Sequence, residues 1–355
     1  MCETIRRLPK PLLRLITSGF TRLYQYNGRR CLYTDTALDL VDYKNARITA
    51  QVLGNPDVFK DTMKIILKNE ENQVGVADLR KLLHIIEKNE GDICLLKTML
   101  ERYNQQDNED SDYLIGPVVM RALHYLDEPL LALEAATDPK FKMLYDQPKT
   151  FAILVDLLYE HKMYKEVRDV YSFLRHRPVS KLVISIVAMA CYKENTPESL
   201  EFAMQMWKDV CSKSKPLRRT IVTLTALALN QNQPEIALNI IAHCHNFNSI
   251  SVRSTKVMAL CDLDQLDKVL VDFRHALGHN SYYLADVGSK FKAAVRRLNL
   301  KPEEEIRNVF HTLQLRRAIQ SLCNSRKTII NKLYRNVMQT LDEYISTPID
   351  VSKRP

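Results

Sequence analysis

The chain has 355 residues, 46% of them hydrophobic, with eight glycines, 14 prolines and a formal charge of +9 at pH 7. So little glycine starves an all-β fold of turns and leaves no phosphate-cradling glycine loop. The longest apolar run, Leu182 to Cys191, is far too short to cross a bilayer, and the expectation is a soluble, all-α protein. The charge is uneven. Residues 1–33 carry seven basic side chains against one acid, and residues 288–355 carry 14 against six, which leaves residues 34–287 at −5. The two ends are basic and the centre is mildly acidic. The eight cysteines form no C-x-x-C pair and several, such as Cys191 and Cys261, fall in apolar helical runs. They read as buried reduced thiols, not a disulfide framework.

In chain order, the first segment reads as an address. Leu12, Leu15, Ile16, Phe20 and Leu23 share one helical face, with Arg14, Ser18 and Arg22 on another. An Arg-rich, acid-poor amphipathic segment has the profile of a mitochondrial transit peptide. The competing reading is an ordinary first helix, and Pro9 and Pro11 disturb its start. Cleavage near Arg29-Arg30-Cys31 would leave a mature charge of roughly +3. Ala46 to Leu67 then reads as one or two helices broken at Gly54-Asn55-Pro56.

The clearest unit is Thr150 to Arg177. Phe151, Leu154, Val155 and Leu158, then Val167, Val170, Tyr171 and Leu174, give two apolar stripes at helical spacing. Thr150 is expected to cap the first helix and Pro178 to end the second. The connection is so short that the helices must form an antiparallel hairpin, which needs similar neighbours to bury both stripes. Taking Val167 as anchor, equivalent positions are Leu95, Ala132, Leu200, Ala237 and Val269. Pro129, Pro197 and Pro234 stand three residues before their anchors, where a first helical position has no N–H to lose, and Thr196 is a reasonable cap. The spacing predicts about six helical hairpins from Val74 to His279. Gln105 to Asp112 is a polar, acidic loop between units. Pro302 with three following glutamates starts a further helix, with Ile306, Val309, Phe310 and Leu313 on its buried face, and a last helix runs from about Ser325 to Tyr344. These terminal helices are expected to cap the stack.

Phe151-Ala152-Ile153-Leu154-Val155-Asp156 and Tyr164-Lys165-Glu166-Val167 resemble the pentatricopeptide repeat family, whose unit is about 35 residues long. Tyr43-Lys44-Asn45-Ala46, Ile115-Gly116-Pro117-Val118 and Ala226-Leu227-Ala228-Leu229-Asn230-Gln231-Asn232 carry the resemblance over approximately residues 33–345. It implies an all-α, right-handed α-α solenoid of about six pentatricopeptide-like hairpins with capping terminal helices. It also implies a mitochondrial matrix protein acting in mitochondrial RNA maturation and hence respiratory-chain function. The organisation is then a transit peptide at 1–33, a helical cap at 34–73, the solenoid at 74–279 and a basic helical region at 280–355. In the family, the residue after the aromatic position helps to read one base. Here that position is Arg80, Pro117, Ala152, Ser185, Val222 and Ser254. Of these, only Ser185 and Ser254 offer the hydrogen bonds needed at a base edge, and the glycine common in the family's turn is Lys162.

Two basic clusters are candidates for phosphate contact: Lys213, Lys215, Arg218 and Arg219, and a denser set, Lys290, Lys292, Arg296 and Arg297. Tyr282, Tyr283 and Phe291 lie near the second, and basic groups interleaved with aromatics suit single-stranded RNA. Arg316, Arg317, Arg326, Lys327, Lys332 and Arg335 extend it. A solvated face, or a surface for an acidic protein or ribosomal RNA, is the alternative. His243-Cys244-His245 diverge around a helix and cannot easily converge on one ion. His275 and His279 lack the glutamate and third ligand of a zinc protease, so no metal site is expected. Trp207 reads as core. Asp107, Glu109, Asp110 and Asp112 sit in a polar loop, and without a nucleophile constellation neither enzymatic activity nor a cofactor is expected. The expectation is a non-catalytic protein binding single-stranded mitochondrial transcripts and assisting mRNA processing. The alternative is a protein-interaction scaffold on ribosomal or RNA-processing proteins, without a membrane span.

Overall fold

The computed structural model describes residues 35–53, 55–69, 72–106, 115–141, 147–175, 177, 179–244, 249–278, 283–298 and 340–346. Sixteen α-helices and one 3-10 turn, Pro139–Phe141, lie among them. The transit segment, most of the acidic loop and the region from Pro302 to Tyr334 fall outside the described residues.

The helices come in pairs. α1 (Leu40–Leu53) and α2 (Pro56–Leu67) precede the hairpins α3 (Val76–Ile85) and α4 (Glu90–Gln105), α5 (Ile115–Leu126) and α6 (Pro129–Thr137), and α7 (Pro148–Glu160) and α8 (Tyr164–Leu174). There follow α9 (Lys181–Glu194) and α10 (Pro197–Lys213), α11 (Arg218–Asn230) and α12 (Pro234–Ala242), and α13 (Ile250–Asp262) and α14 (Leu266–Gly278). α15 (Ala285–Arg297) and the short α16 (Leu341–Ser346) complete the described chain. The hairpins from α3 to α14 are the six predicted from the anchor spacing.

Two layers result. Each first helix packs on the first helix of the next pair, from α1 on α3 through to α13 on α15. From α4 to α14 each second helix packs back on its own first helix, and α6, α8, α10 and α12 also touch the first helix that follows. First helices are thus sandwiched on several sides and read as nearly continuous apolar runs. In α9, Val183 to Cys191 are all buried. Second helices keep a single stripe, such as Val167, Val170, Tyr171 and Leu174 in α8. Every anchor is buried: Leu95, Ala132, Val167, Leu200, Ala237 and Val269. Burying one of the Leu or Val anchors stabilises the stack by about 1.5–3 kcal/mol.

The corners repeat as well. Asp127, Lys162, Asn195, Asn232 and Asp264 all have φ between 51° and 60°, and each stands two residues before its second helix. At Lys162 the amide donates to Tyr159 O (3.0 Å) and that of Met163 to Leu158 O (3.0 Å), closing the first helix with a left-handed cap. The same two bonds recur at Asp127, Asn232 and Asp264. Pro129, Pro197 and Pro234 then occupy the first turns of their helices, and Thr196 caps α10 by accepting from Ser199 N while Ser199 bonds back to Thr196 N.

One expectation is corrected. α7 begins at Pro148 with Gln147 as its flanking residue. Thr150 therefore sits inside the helix, completely buried, and is not its cap. The terminal helices expected to cap the stack lie mostly outside the described residues. The described part, α16, packs on α11, and Leu341 N donates to Asp286 Oδ2 of α15 (2.7 Å) while Lys193 Nζ reaches Asp342 Oδ1 (2.6 Å).

Candidate nucleic-acid interface

The base-reading positions are mostly core positions here. Pro117, Ser185, Val222 and Ser254 are buried, Ala152 is half-buried and only Arg80 is exposed. Ser185 Oγ donates to Lys181 O (3.0 Å) and lies 2.9 Å from Thr220 Oγ1 on α11. Ser254 Oγ accepts from Leu284 N (3.0 Å) at the start of α15. Both hydroxyls hold neighbouring helices together, which corrects their assignment as base readers: neither is presented to a base edge.

In the first basic cluster, Lys213 is exposed and donates to Arg175 O (3.1 Å). Lys215 and Arg218 are exposed, whereas Arg219 turns inward and donates to Ile345 O of α16. Burial lowers the Arg219 pKa from its ordinary value, because a charged guanidinium loses water there. Arg219 is thus a tether for the C-terminal helix and not a phosphate contact.

The second cluster divides in the same way. Lys290 Nζ bonds both oxygens of Asp262 (2.9 and 2.7 Å). Arg297 bonds Asp264 and donates to Cys261 O (2.7 Å), and its hydrogen bond to Asp264 raises its pKa. These two cations hold α15 to the corner of the preceding hairpin. Lys292 and Arg296 are exposed on α15. The aromatic platforms are also spoken for: Tyr283 is 6% exposed with its hydroxyl donating to Asp272 O (2.9 Å), and Phe291 lies edge-on to Phe273 (5.3 Å). Tyr282 and the further basic residues from Arg316 to Arg335 lie outside the described residues.

Of the eight candidate cations, Lys215, Arg218, Lys292 and Arg296 are the exposed ones that do not bond to the scaffold among the described residues. The fold does not bring the two pairs together. Both α11 and α15 are first helices of their pairs; Arg218 opens α11 whereas Arg296 is the twelfth residue of α15, a difference of about 16 Å in rise along a helix axis. An extended polyanion spans such a distance, and a single phosphate does not.

The other sequence candidates settle into the scaffold. Trp207 is buried, edge-on to exposed His243 at 5.4 Å, and Cys244 is buried. His275 is exposed, and His245 and His279 lie outside the described residues. Cys191 and Cys261 are buried free thiols, and burial pushes both pKa values up to about 12. Two described clefts, of about 110 and 60 Å³, are small for a ligand pocket, which usually needs about 300 Å³ or more.

Sequence reasoning missed two constellations. On α1, α3 and α5, Arg47 sits over the exposed Tyr125 ring at 4.6 Å, beside Tyr43, which stacks on His84 at 5.3 Å. Between α5 and α7, His124 meets Asp156 and Glu160. Burial works against a charged His124 ring, but Asp156 and Glu160 outweigh it and raise its pKa. The i, i+4 spacing of Asp156 and Glu160 was legible, whereas His124 stands 32 residues earlier and only the stacking of hairpins joins it to them.

The fold defines a helical-hairpin repeat protein. In sequence the chain is similar to Pentatricopeptide repeat-containing protein 2, mitochondrial. It is 25% identical to the Homo sapiens protein over 261 residues, 71% of this chain and 66% of that relative, so the match spans just under two thirds of the human protein. The Mus musculus relative is 26% identical over 291 residues, 77% of this chain and 74% of its own, and the Xenopus laevis relative 23% over 350, 89% and 91%. No family model matches the chain. The likeness agrees with the pentatricopeptide resemblance carried by the hairpin motifs, and these homologues place the protein in the mitochondrion. Among the described residues no helix is long and apolar enough to cross a membrane.

Proposed function

We propose that the chain is a non-catalytic RNA-binding protein of the mitochondrial matrix that assists the processing of mitochondrial mRNA and thereby the respiratory chain. The observation that carries this reading is the set of exposed cations, Lys215, Arg218, Lys292 and Arg296, spread along a solenoid similar to mitochondrial pentatricopeptide repeat proteins. Phosphate contact without exposed base-reading hydroxyls gives salt-dependent affinity with little base preference. The test is retention of single-stranded RNA by the protein lacking residues 1–33. Reversing Lys292 and Arg296 to glutamate should weaken retention and reduce the salt slope by about 1.4. Absence of retention at low salt overturns direct binding.

A second reading is a protein-interaction scaffold. It is favoured by the exposed apolar side chains Ile48, Val52, Val58 and Ile65 on α1 and α2, which are 52–76% exposed. Crosslinking in intact mitochondria separates the two: RNA adducts on the helices support the first reading, and protein adducts alone support the second.

A further inference from the structure

Between the second and third hairpins, polar side chains of three residues converge. His124 lies on the last turn of α5, and Asp156 and Glu160 lie one turn apart on the same side of α7. Asp156 is 1% exposed, the His124 ring is 13% exposed and Glu160 is half-buried. His124 Nε2 stands 3.5 Å from Asp156 Oδ2, beyond the ordinary range of an N–H···O bond. Neither His124 Nε2 nor Glu160 Oε1 has a hydrogen-bond partner, and both atoms are shut off from solvent. One ligand atom from each of the three residues lies within 4.8 Å of the other two.

A carboxylate oxygen and an imidazole nitrogen left buried without partners are costly, and a cation at their centre satisfies both together with Asp156. At metal–ligand distances of about 2.0–2.2 Å, neighbouring ligand atoms stand about 3.0–3.5 Å apart. Closing the observed cluster thus takes shifts of about 1–2 Å, within the reach of side-chain rotation. One nitrogen and two carboxylates suit a borderline transition ion better than magnesium or calcium, which prefer all-oxygen shells.

We propose that His124, Asp156 and Glu160 form a binding site for a divalent transition-metal ion of the zinc type, which clamps α5 to α7. The site is independent of RNA, because the exposed cations lie on α11, α15 and the segment before α11. Its three protein ligands leave a further position for water.

The experiment uses the full chain stripped with EDTA and titrated with zinc chloride, with Cys94→Ser and Cys211→Ser in the background to remove the two accessible described thiols. One equivalent should bind and raise the melting temperature. His124→Gln should abolish the effect and Glu160→Gln should weaken affinity at least tenfold. If a variant fails to fold, zinc-edge X-ray absorption on the unsubstituted site decides alone: a shell of nitrogen and oxygen supports the site, and a sulfur-containing shell overturns it. No stoichiometric binding overturns it too.

Discussion

Lys162 carries the least suitable side chain of the five left-handed corners. Asp127, Asn195, Asn232 and Asp264 belong to the residues that tolerate positive φ, whereas a lysine there sets its Cβ against the following carbonyl. Lys162→Gly is expected to stabilise the protein by about 0.5–1 kcal/mol, since relieved strain exceeds the added freedom of the unfolded chain. Thermal unfolding of this variant against Asn232→Gly, which should be nearly neutral, checks it. His84 makes the opposite kind of statement. Burial, helped by the charges of Arg80 and Arg47, lowers its pKa below 6.5. The folded protein therefore prefers the neutral ring, so this stabilising contribution is complete above pH 6.5 and disappears as pH falls through the folded value. Melting temperatures from pH 7.5 to 5 should drop more steeply for the parent than for His84→Gln. The glycine missing at Lys162 was visible in the sequence, and so was Arg80 four residues before His84, but Tyr43 and Arg47 come from α1, too far along the chain for any local pattern to show.

At the scale of elements, caps and ion pairs set where helices start and how they join. Thr196 and Ser199 bond reciprocally at the start of α10, and Thr196→Ala should cost about 1 kcal/mol in urea unfolding. A stronger dependence holds α2 to α4, where Lys60 Nζ lies 2.6 Å from Asp92 Oδ2 and both side chains are less than 10% exposed. Asp92 also accepts from Glu87 N (2.8 Å). Removing the amine by Lys60→Ala should cost about 3–5 kcal/mol, because Asp92 is left buried and charged. The double change Lys60→Met with Asp92→Leu should cost less than that single substitution, as a urea series would show. The hairpins themselves were legible, because amphipathic spacing and proline at first turns are local signals. Thr150 misled for the same reason: a hydroxyl beside an apolar run resembles a cap, and only the position of Pro148 places it within the first turn.

For the whole molecule, the sequence shows where cations are but not which are already paired. Lys290 and Arg297 looked equivalent to Lys292 and Arg296, yet stacking sets the first two against Asp262 and Asp264 of the previous hairpin. Arg297→Glu should therefore lower the melting temperature, whereas Lys292→Glu and Arg296→Glu should leave it within a degree or two and act on RNA alone. The serines show the same limit. Hydroxyl chemistry at positions 185 and 254 suggested base reading, and only the packing of α9 on α11 and of α13 on α15 shows them facing inward.

α16 has a consequence of another kind. A row of hairpins that touch only their neighbours unfolds piecemeal, fraying from its ends, because every contact is short in sequence. Here Lys193 and Asp342 are joined across 149 residues, and Arg219 and Ile345 across 126. The final helix thereby turns part of an open array into a closed circuit, in which α9, α11 and α15 share one element. Its docking must wait for that part of the stack and adds contact order to an otherwise local folding path. Opening any hairpin inside the circuit forfeits the helix as well, so the end of the chain raises the cooperativity of its middle.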